Sequence, residues 1–334
     1  MENTTAPDTI HIEEVSLYFI LYVYLMVAFS VIAVLGTLGN GVVIWFTSFK
    51  MKKTVNGIWF LSLAIADFTF SLFLPLRIIQ LAHFYTWMFG TFMCKFHIFV
   101  IFLNLFASIL HLAVISIDRC ISVFFPIWCQ NHRTTRLALK VCVVVWILAI
   151  AFSVPSFLFT ENASFGDYED CVEDQFSESG QIIQSHQVII RFIIFFVIPF
   201  TIIVTCYTLI FLRMRKNQMT NSTKPFKVLL AVIISFFTCW FPYHVVWLIT
   251  VSPIMYSGYI GRSFEVAFDV ATSLAYANSC VNPVLYVFIG HDFKKKTWHS
   301  IKPTLERAFN DESRLIESQR TEDRCEDNDI TSQL

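Results

Sequence analysis

The chain has 334 residues, of which 56% are hydrophobic and only 15% charged, with 36 Phe and a formal net charge of −1. A soluble domain of that length would need far more polar surface to cover its core, so composition excludes one. No Lys/Arg-rich patch interleaved with aromatics offers a surface for nucleic acid, and apolar runs of twenty residues or more indicate a membrane protein.

Residues 1–17 form an N-terminal segment without a basic residue, and Asn3-Thr4-Thr5 within it fits the N-glycan acceptor pattern. The first apolar stretch, about 18–46, is too long for a signal-peptide core and follows an acidic flank, so it is expected to be an uncleaved span. It contains Asn40. Six more stretches follow at about 55–82, 93–124, 137–159, 188–212, 228–252 and 264–289. Each is long enough to cross a hydrocarbon core of about 30 Å.

The second stretch contains Asp67, Pro75 and Arg77. The third starts near Cys94, passes Asn104 and Ser108, and reaches Asp118-Arg119. Arg119 is 25 residues beyond Cys94, about 37 Å along a helix. That is the mouth of a bundle and not the bilayer centre, where an arginine costs roughly 2.5–3.5 kcal/mol. There Arg119 can pair with Asp118 in one packing of the helices and be released in another.

The fourth stretch carries Trp146 and Pro155, and a loop of about 160–187 follows. That loop is acidic, from Glu161 to Glu178, and holds Asn162-Ala163-Ser164, a second glycan acceptor pattern, together with Cys171. The fifth stretch carries Arg191, Pro199 and Tyr207; the sixth, Cys239-Trp240-Phe241-Pro242; the seventh, Asn278, Ser279, Asn282, Pro283 and Tyr286. Pro155, Pro199, Pro242 and Pro283 each remove an intrahelical bond and permit a hinge. Residues 290–301, with Phe293, Lys294, Lys295, Lys296 and Trp298, read as a short amphipathic helix along a lipid surface. Residues 302–334 read as a disordered acidic tail, with Ser313, Ser318, Thr321, Thr331 and Ser332 open to kinases.

Lys and Arg set the orientation. Lys50, Lys52 and Lys53, then Arg133, Arg136 and Lys140, then Arg213, Arg215 and Lys216, then Lys294 to Lys296 gather on one side, whereas on the other the N-terminal segment and the long loop at about 160–187 have no basic residue. The positive-inside rule places the N-terminus outside and the C-terminus in the cytoplasm. Of nine cysteines, only Cys94 and Cys171 then share an oxidising compartment, so a disulfide between them is expected. Asp67, at mid-depth, needs partners, a proton or a cation. Amides and hydroxyls on facing helices could hold a sodium ion there; the plain alternative is a hydrogen-bond network that joins helices. No zinc spacing, HExxH or GxSxG pattern occurs, and an enzyme is not expected.

Asn40, Asp67, Cys94, Asp118-Arg119-Cys120, Trp146, Pro199, Tyr207, Cys239-Trp240-Phe241-Pro242 and Asn282-Pro283-Val284-Leu285-Tyr286 resemble, in order, the signatures of the rhodopsin-like G-protein-coupled receptors. The segments "DRCISVFFPIWCQNHRTTRLA" and "KPFKVLLAVIISFFTCWFPYH" are similar to the chemoattractant branch, whose ligands include chemerin, formyl peptides and prostaglandin D2. The resemblance implies an all-α seven-transmembrane helix bundle over 18–289 in the plasma membrane. It implies a switch made of Asp118, Arg119, Tyr207, Trp240, Pro242, Asn282, Pro283 and Tyr286. Asp67, Asn104, Ser108, Asn278 and Asn282 match the family's pocket for an allosteric sodium ion; no other cofactor is expected, and the plain network remains the alternative to sodium. Arg191 stands where this branch receives a ligand carboxylate, with Arg77 as a second cation and Trp240 as the ligand-sensing pivot. The implied partners are a chemerin-like peptide or protein, an inhibitory-class G protein, arrestin and receptor kinases, with a role in chemotaxis and inflammation. A lipid-carboxylate receptor and a decoy receptor that internalises ligand are the alternatives.

Overall fold

The computed structural model describes residues 6–50, 53–165, 168–173, 178–216, 224–252 and 262–289. Asn3, the segment 290–301 and the tail 302–334 lie outside the described residues, as does the side chain of Tyr286. The chain divides into two compact units, Met1–Leu285 and Tyr286–Leu334, and the sites lie in the first.

Helix α1 spans Ala6–Trp45 and runs into a π turn, Phe46–Lys50; α2 spans Val55–Ala82 and α3 Gly90–Phe124. A short α4, Pro126–His132, leads to α5, Thr135–Phe159. Strands β1, Thr160–Phe165, and β2, Tyr168–Glu173, pair antiparallel with Asn162 opposite Cys171. Next come α6, Glu178–Phe192, a π turn at Ile193–Val197, α7, Ile198–Lys216, α8, Lys224–Thr250, and α9, Arg262–Ile289.

Two starts follow directly from local chemistry. Thr54 and Thr134, in extended conformation, accept the amides of Gly57 and Leu137 and cap α2 and α5. Six helical segments among the described residues are long and apolar enough to cross a bilayer. Helix α9 is not one of them, because Asp269, Thr272, Ser273, Asn278, Ser279 and Asn282 dilute its apolar character. Most of those side chains are buried, so its polarity faces protein and not lipid.

Helix α3 is the central post. It touches α2, α5, α7 and β1, and 72% of its most apolar window is buried, against 28% for α5. A helix buried on every side can carry small polar groups inward, and Asn104, Ser108, His111 and Ser116 are all buried. Trp146 donates to Ser62 Oγ at 2.9 Å, Ser62 bonds His111 Nε2 at 2.7 Å, and His111 Nδ1 bonds the Ala107 carbonyl at 2.7 Å. That relay ties α5 and α2 to α3.

The expected loop at about 160–187 is instead a hairpin followed by three turns of helix. The Cys94–Cys171 disulfide anchors the hairpin to α3, and the Trp87 amide donates to the Glu169 carbonyl at 2.7 Å. Pairing of this kind is what lets exposed backbone find partners away from a helix.

Candidate functional site

The polar residues expected to matter fall at three levels along the bundle. At the hairpin end is a cavity of about 310 Å³ lined by Arg77, Gln80, His97, Phe102, Asp170, Trp247, Phe268 and Thr272, among others. Arg77 Nη1 donates to Gln80 Oε1 at 2.7 Å, and Gln80 Nε2 donates to Asp170 Oδ1 at 2.6 Å. A second, narrower space shares Phe102, Tyr243 and Trp247 with it and adds Leu105, Val188, Arg191 and His244. Arg191 therefore borders that narrow space, of about 10 Å³, and does not line the larger cavity itself.

The fifth apolar stretch is expected to start at about 188, three residues before Arg191, whereas α6 begins at Glu178. Thirteen residues add about 20 Å of rise, which carries Arg191 into the bundle, where it is 8% exposed. One Nη2 contact goes to Ser156 Oγ at 2.8 Å and one to Gln187 Oε1 at 2.5 Å, and the guanidinium carbon is 3.9 Å from the Phe102 ring centre. Two side-chain oxygens and an aromatic face are among the groups that hold the guanidinium in place.

Trp240 lines neither space. It is buried, with Tyr243 edge-on at 5.4 Å and Phe236 at 6.0 Å. Tyr243, the residue after Pro242, lines both spaces, so contact between an occupant and the indole would pass through that phenol. Sequence reasoning missed the π turn at Ile193–Val197. Its wider winding turns Phe195 and Phe196 inward, with Phe195 stacked 3.9 Å from Phe106. Pro199 just beyond it, which cannot donate an amide, was the available signal.

At mid-bundle Asp67 is fully buried. Asn104 Nδ2 donates to its Oδ1 at 2.9 Å and Asn282 Nδ2 to its Oδ2 at 2.8 Å. Asn40 Nδ2 donates to the carbonyls of Gly36 and Ser279 at 2.9 and 2.8 Å. Ser108 Oγ, both polar atoms of the Asn278 side chain and Asn282 Oδ1 are buried without a hydrogen-bond partner among the described residues. Hydroxyl and amide oxygens without donors, close to an anion, are a donor set suited to a hard monovalent cation.

At the far end Asp118 accepts two bonds from Arg133, Nε to Oδ1 at 2.7 Å and Nη2 to Oδ2 at 2.9 Å. Arg119 Nη2 is 3.8 Å from Asp118 Oδ2 and donates to Asn56 Oδ1, which also receives Arg133 Nη2 at 2.6 Å. The acid expected to hold Arg119 is thus held mainly by Arg133. Sequence reasoning counted Arg133 only as inner-loop charge and missed Asn56, whose place in the first turn of α2 carries no distinguishing pattern. Tyr207 is buried on α7. Asn162, on β1, donates from Nδ2 to Glu169 Oε2 at 2.6 Å.

These three levels match a known architecture. The family model described as 7 transmembrane receptor (rhodopsin family) matches residues 39–286. A chemerin-like receptor 1 of Sus scrofa is 43% identical over 288 residues, covering 82% of this chain and 78% of that protein. The Homo sapiens chemerin-like receptor 1 is 42% identical over 288 residues, covering 82% and 76%. Formyl peptide receptor-related sequence 1 of Mus musculus is 40% identical over 319 residues, covering 90% of each. The chain belongs to the rhodopsin family of seven-transmembrane receptors, non-enzymatic multi-pass proteins of the plasma membrane that take an extracellular ligand and engage a G protein.

Proposed function

We propose that this receptor responds to a chemoattractant peptide or protein of the kind that the chemerin-like and formyl peptide receptors are named for. Its Arg191 would hold the ligand's free carboxyl end. One observation carries the reading: a buried guanidinium, stacked on Phe102 and bonded to Ser156 and Gln187, borders a narrow space that shares Phe102, Tyr243 and Trp247 with the larger cavity. A guanidinium grips a carboxylate bidentately and stays charged at any physiological pH. Arg77 on the opposite wall is a second cation. The acidic segment 160–178 then faces outside and steers a basic ligand toward the mouth, with Asn3 and Asn162 as glycan acceptors.

Ligand pressure on Tyr243 would move Trp240 at Pro242 and swing α8, while Asp67, Asn104, Ser108, Asn278 and Asn282 release an allosteric sodium ion. The Asp118–Arg119 region, with Tyr207, Asn282, Pro283 and Tyr286, would then open to an inhibitory-class G protein at the cytoplasmic face. Receptor kinases and arrestin would act on the tail, and the output is chemotaxis and inflammatory signalling. A lipid carboxylate is the second reading, favoured by Phe102, Leu105 and Val188 beside Arg191. The test follows cyclic AMP in cells given one peptide as its acid and as its amide. Arg191→Ala should abolish the preference for the acid; an undiminished preference would refute the assignment.

A further inference from the structure

The hydrogen-bonding groups around the larger cavity fall into two sets. On the α2 and hairpin side, Gln80 and Asp170 bond one another and Arg77 donates to Gln80. On the α3, α8 and α9 walls, both ring nitrogens of His97, Trp247 Nε1 and Thr272 Oγ1 are buried and have no partner among the described residues. His97 is only 3% exposed and Thr272 8%. A neutral imidazole offers one donor and one acceptor, a hydroxyl both, an indole a donor. A buried polar group left unmatched is unfavourable, so an occupant that displaces water from this cavity binds best when it brings groups that match them. An acyl chain brings none. A peptide main chain brings an N–H and a C=O at every residue.

We propose that His97, with Trp247 and Thr272, reads the main chain of the peptide ligand, and that His97 is the residue by which this site prefers a peptide to a lipid carboxylate. The proposal rests on the reading that Arg191 holds the carboxyl end. Phe102, on which that guanidinium stacks, is five residues from His97 along α3, about 7.5 Å of helix rise. An extended peptide advances about 3.3 Å per residue. His97 is therefore level with the second or third residue from the ligand's carboxyl end. Packing alone does not account for the imidazole. Its ring neighbour Trp87, at 5.5 Å, spends its own N–H on the Gly90 carbonyl.

The experiment uses the full chain in lipid nanodiscs and a synthetic library of nonapeptides with free carboxyl ends. The tightest peptide is compared as acid and amide on wild type and Arg191→Ala, which tests the parent reading alone. Each of its last four main-chain amides is then replaced in turn by an ester. An ester at the second or third residue from the end should weaken wild-type binding about tenfold, as loss of one well-placed hydrogen bond does. On His97→Phe the parent peptide should already be about tenfold weaker and that ester should have no further effect, while His97→Gln, which keeps a donor and an acceptor, retains most of the affinity. Oleate should bind wild type and His97→Phe alike. Equal ester profiles on wild type and His97→Phe, with the acid preference intact, overturn the role of His97 and leave Arg191 standing. So does a wild-type scan in which none of the four esters matters, a result that needs no variant to fold. A library with no Arg191-dependent binder removes both readings.

Discussion

Arg133 grips Asp118 through two nitrogens, at 2.7 and 2.9 Å, although fifteen residues and a short helix separate them in sequence. Arg119, the immediate neighbour, stands at 3.8 Å and turns to Asn56. The carboxylate beside Arg119 is therefore itself fixed by the residue that links α4 to α5, and a shift of that corner would strain the bidentate contact.

Basal signalling should depend on Arg133. The pair is partly exposed, 24% and 12% for the two side chains, so solvent screening keeps its worth near ~1 kcal/mol, a factor of about five. Arg133→Met and Asp118→Asn should each raise ligand-independent nucleotide exchange two- to fivefold in purified receptor with G protein. Lys140→Met, at an exposed cation on α5, should leave it unchanged. A rise in Asp118→Asn with none in Arg133→Met would return the restraint to Arg119 alone.

Sodium should stabilise the protein through Asp67. In detergent, replacing choline chloride with sodium chloride at equal ionic strength should raise the melting temperature of the wild type. Asp67→Asn retains an oxygen for Asn104 or Asn282 but loses the charge, so its melting temperature should not respond. An equal response in both would show that the effect is general salt and not a bound ion.

Three glycines on α1 should behave differently. A Cβ on Gly39 would meet Pro283 Cβ at 2.9 Å, a rigid ring that cannot turn aside; on Gly36 it would meet Ser71 Oγ at 2.2 Å, a hydroxyl that can be removed; on Gly41 it would meet Phe68 Cε2 at 3.4 Å, ordinary contact. Overpacking costs about 1–3 kcal/mol. Thermal unfolding should find Gly39→Ala destabilised, Gly36→Ala destabilised and partly rescued by Ser71→Ala, and Gly41→Ala neutral or slightly stabilised by helix propensity.

The disulfide closes a separation of 77 residues, a loop for which chain entropy suggests about 4 kcal/mol. Cys94→Ser, Cys171→Ser and the double variant should lose cell-surface expression to the same extent, because either single change already breaks the bond. A double variant clearly worse than both singles would mean that the thiols contribute separately.

Apolar length and the spacing of Lys and Arg are properties of the chain read in one dimension, and they sufficed to mark seven crossing segments and to rank buried polar residues such as Asp67 and Asn282 as exceptional. The reason is that lipid penalises each unsatisfied polar group wherever it occurs, so its presence needs no three-dimensional context to be informative. The partner of each such group was another matter. Arg133 and Asn56 meet at Asp118 only because α2 and the α4–α5 corner pack against the end of α3. The depth of Arg191 depended on a helix that begins ten residues before its apolar stretch, where polarity concealed it. The unmatched nitrogens of His97 gain meaning only because the walls of the cavity place Trp247 and Thr272, equally unmatched, around the same space. Hydrogen bonds and stacking act over a few ångströms between residues remote in sequence, and only the packed bundle determines which of them come that close.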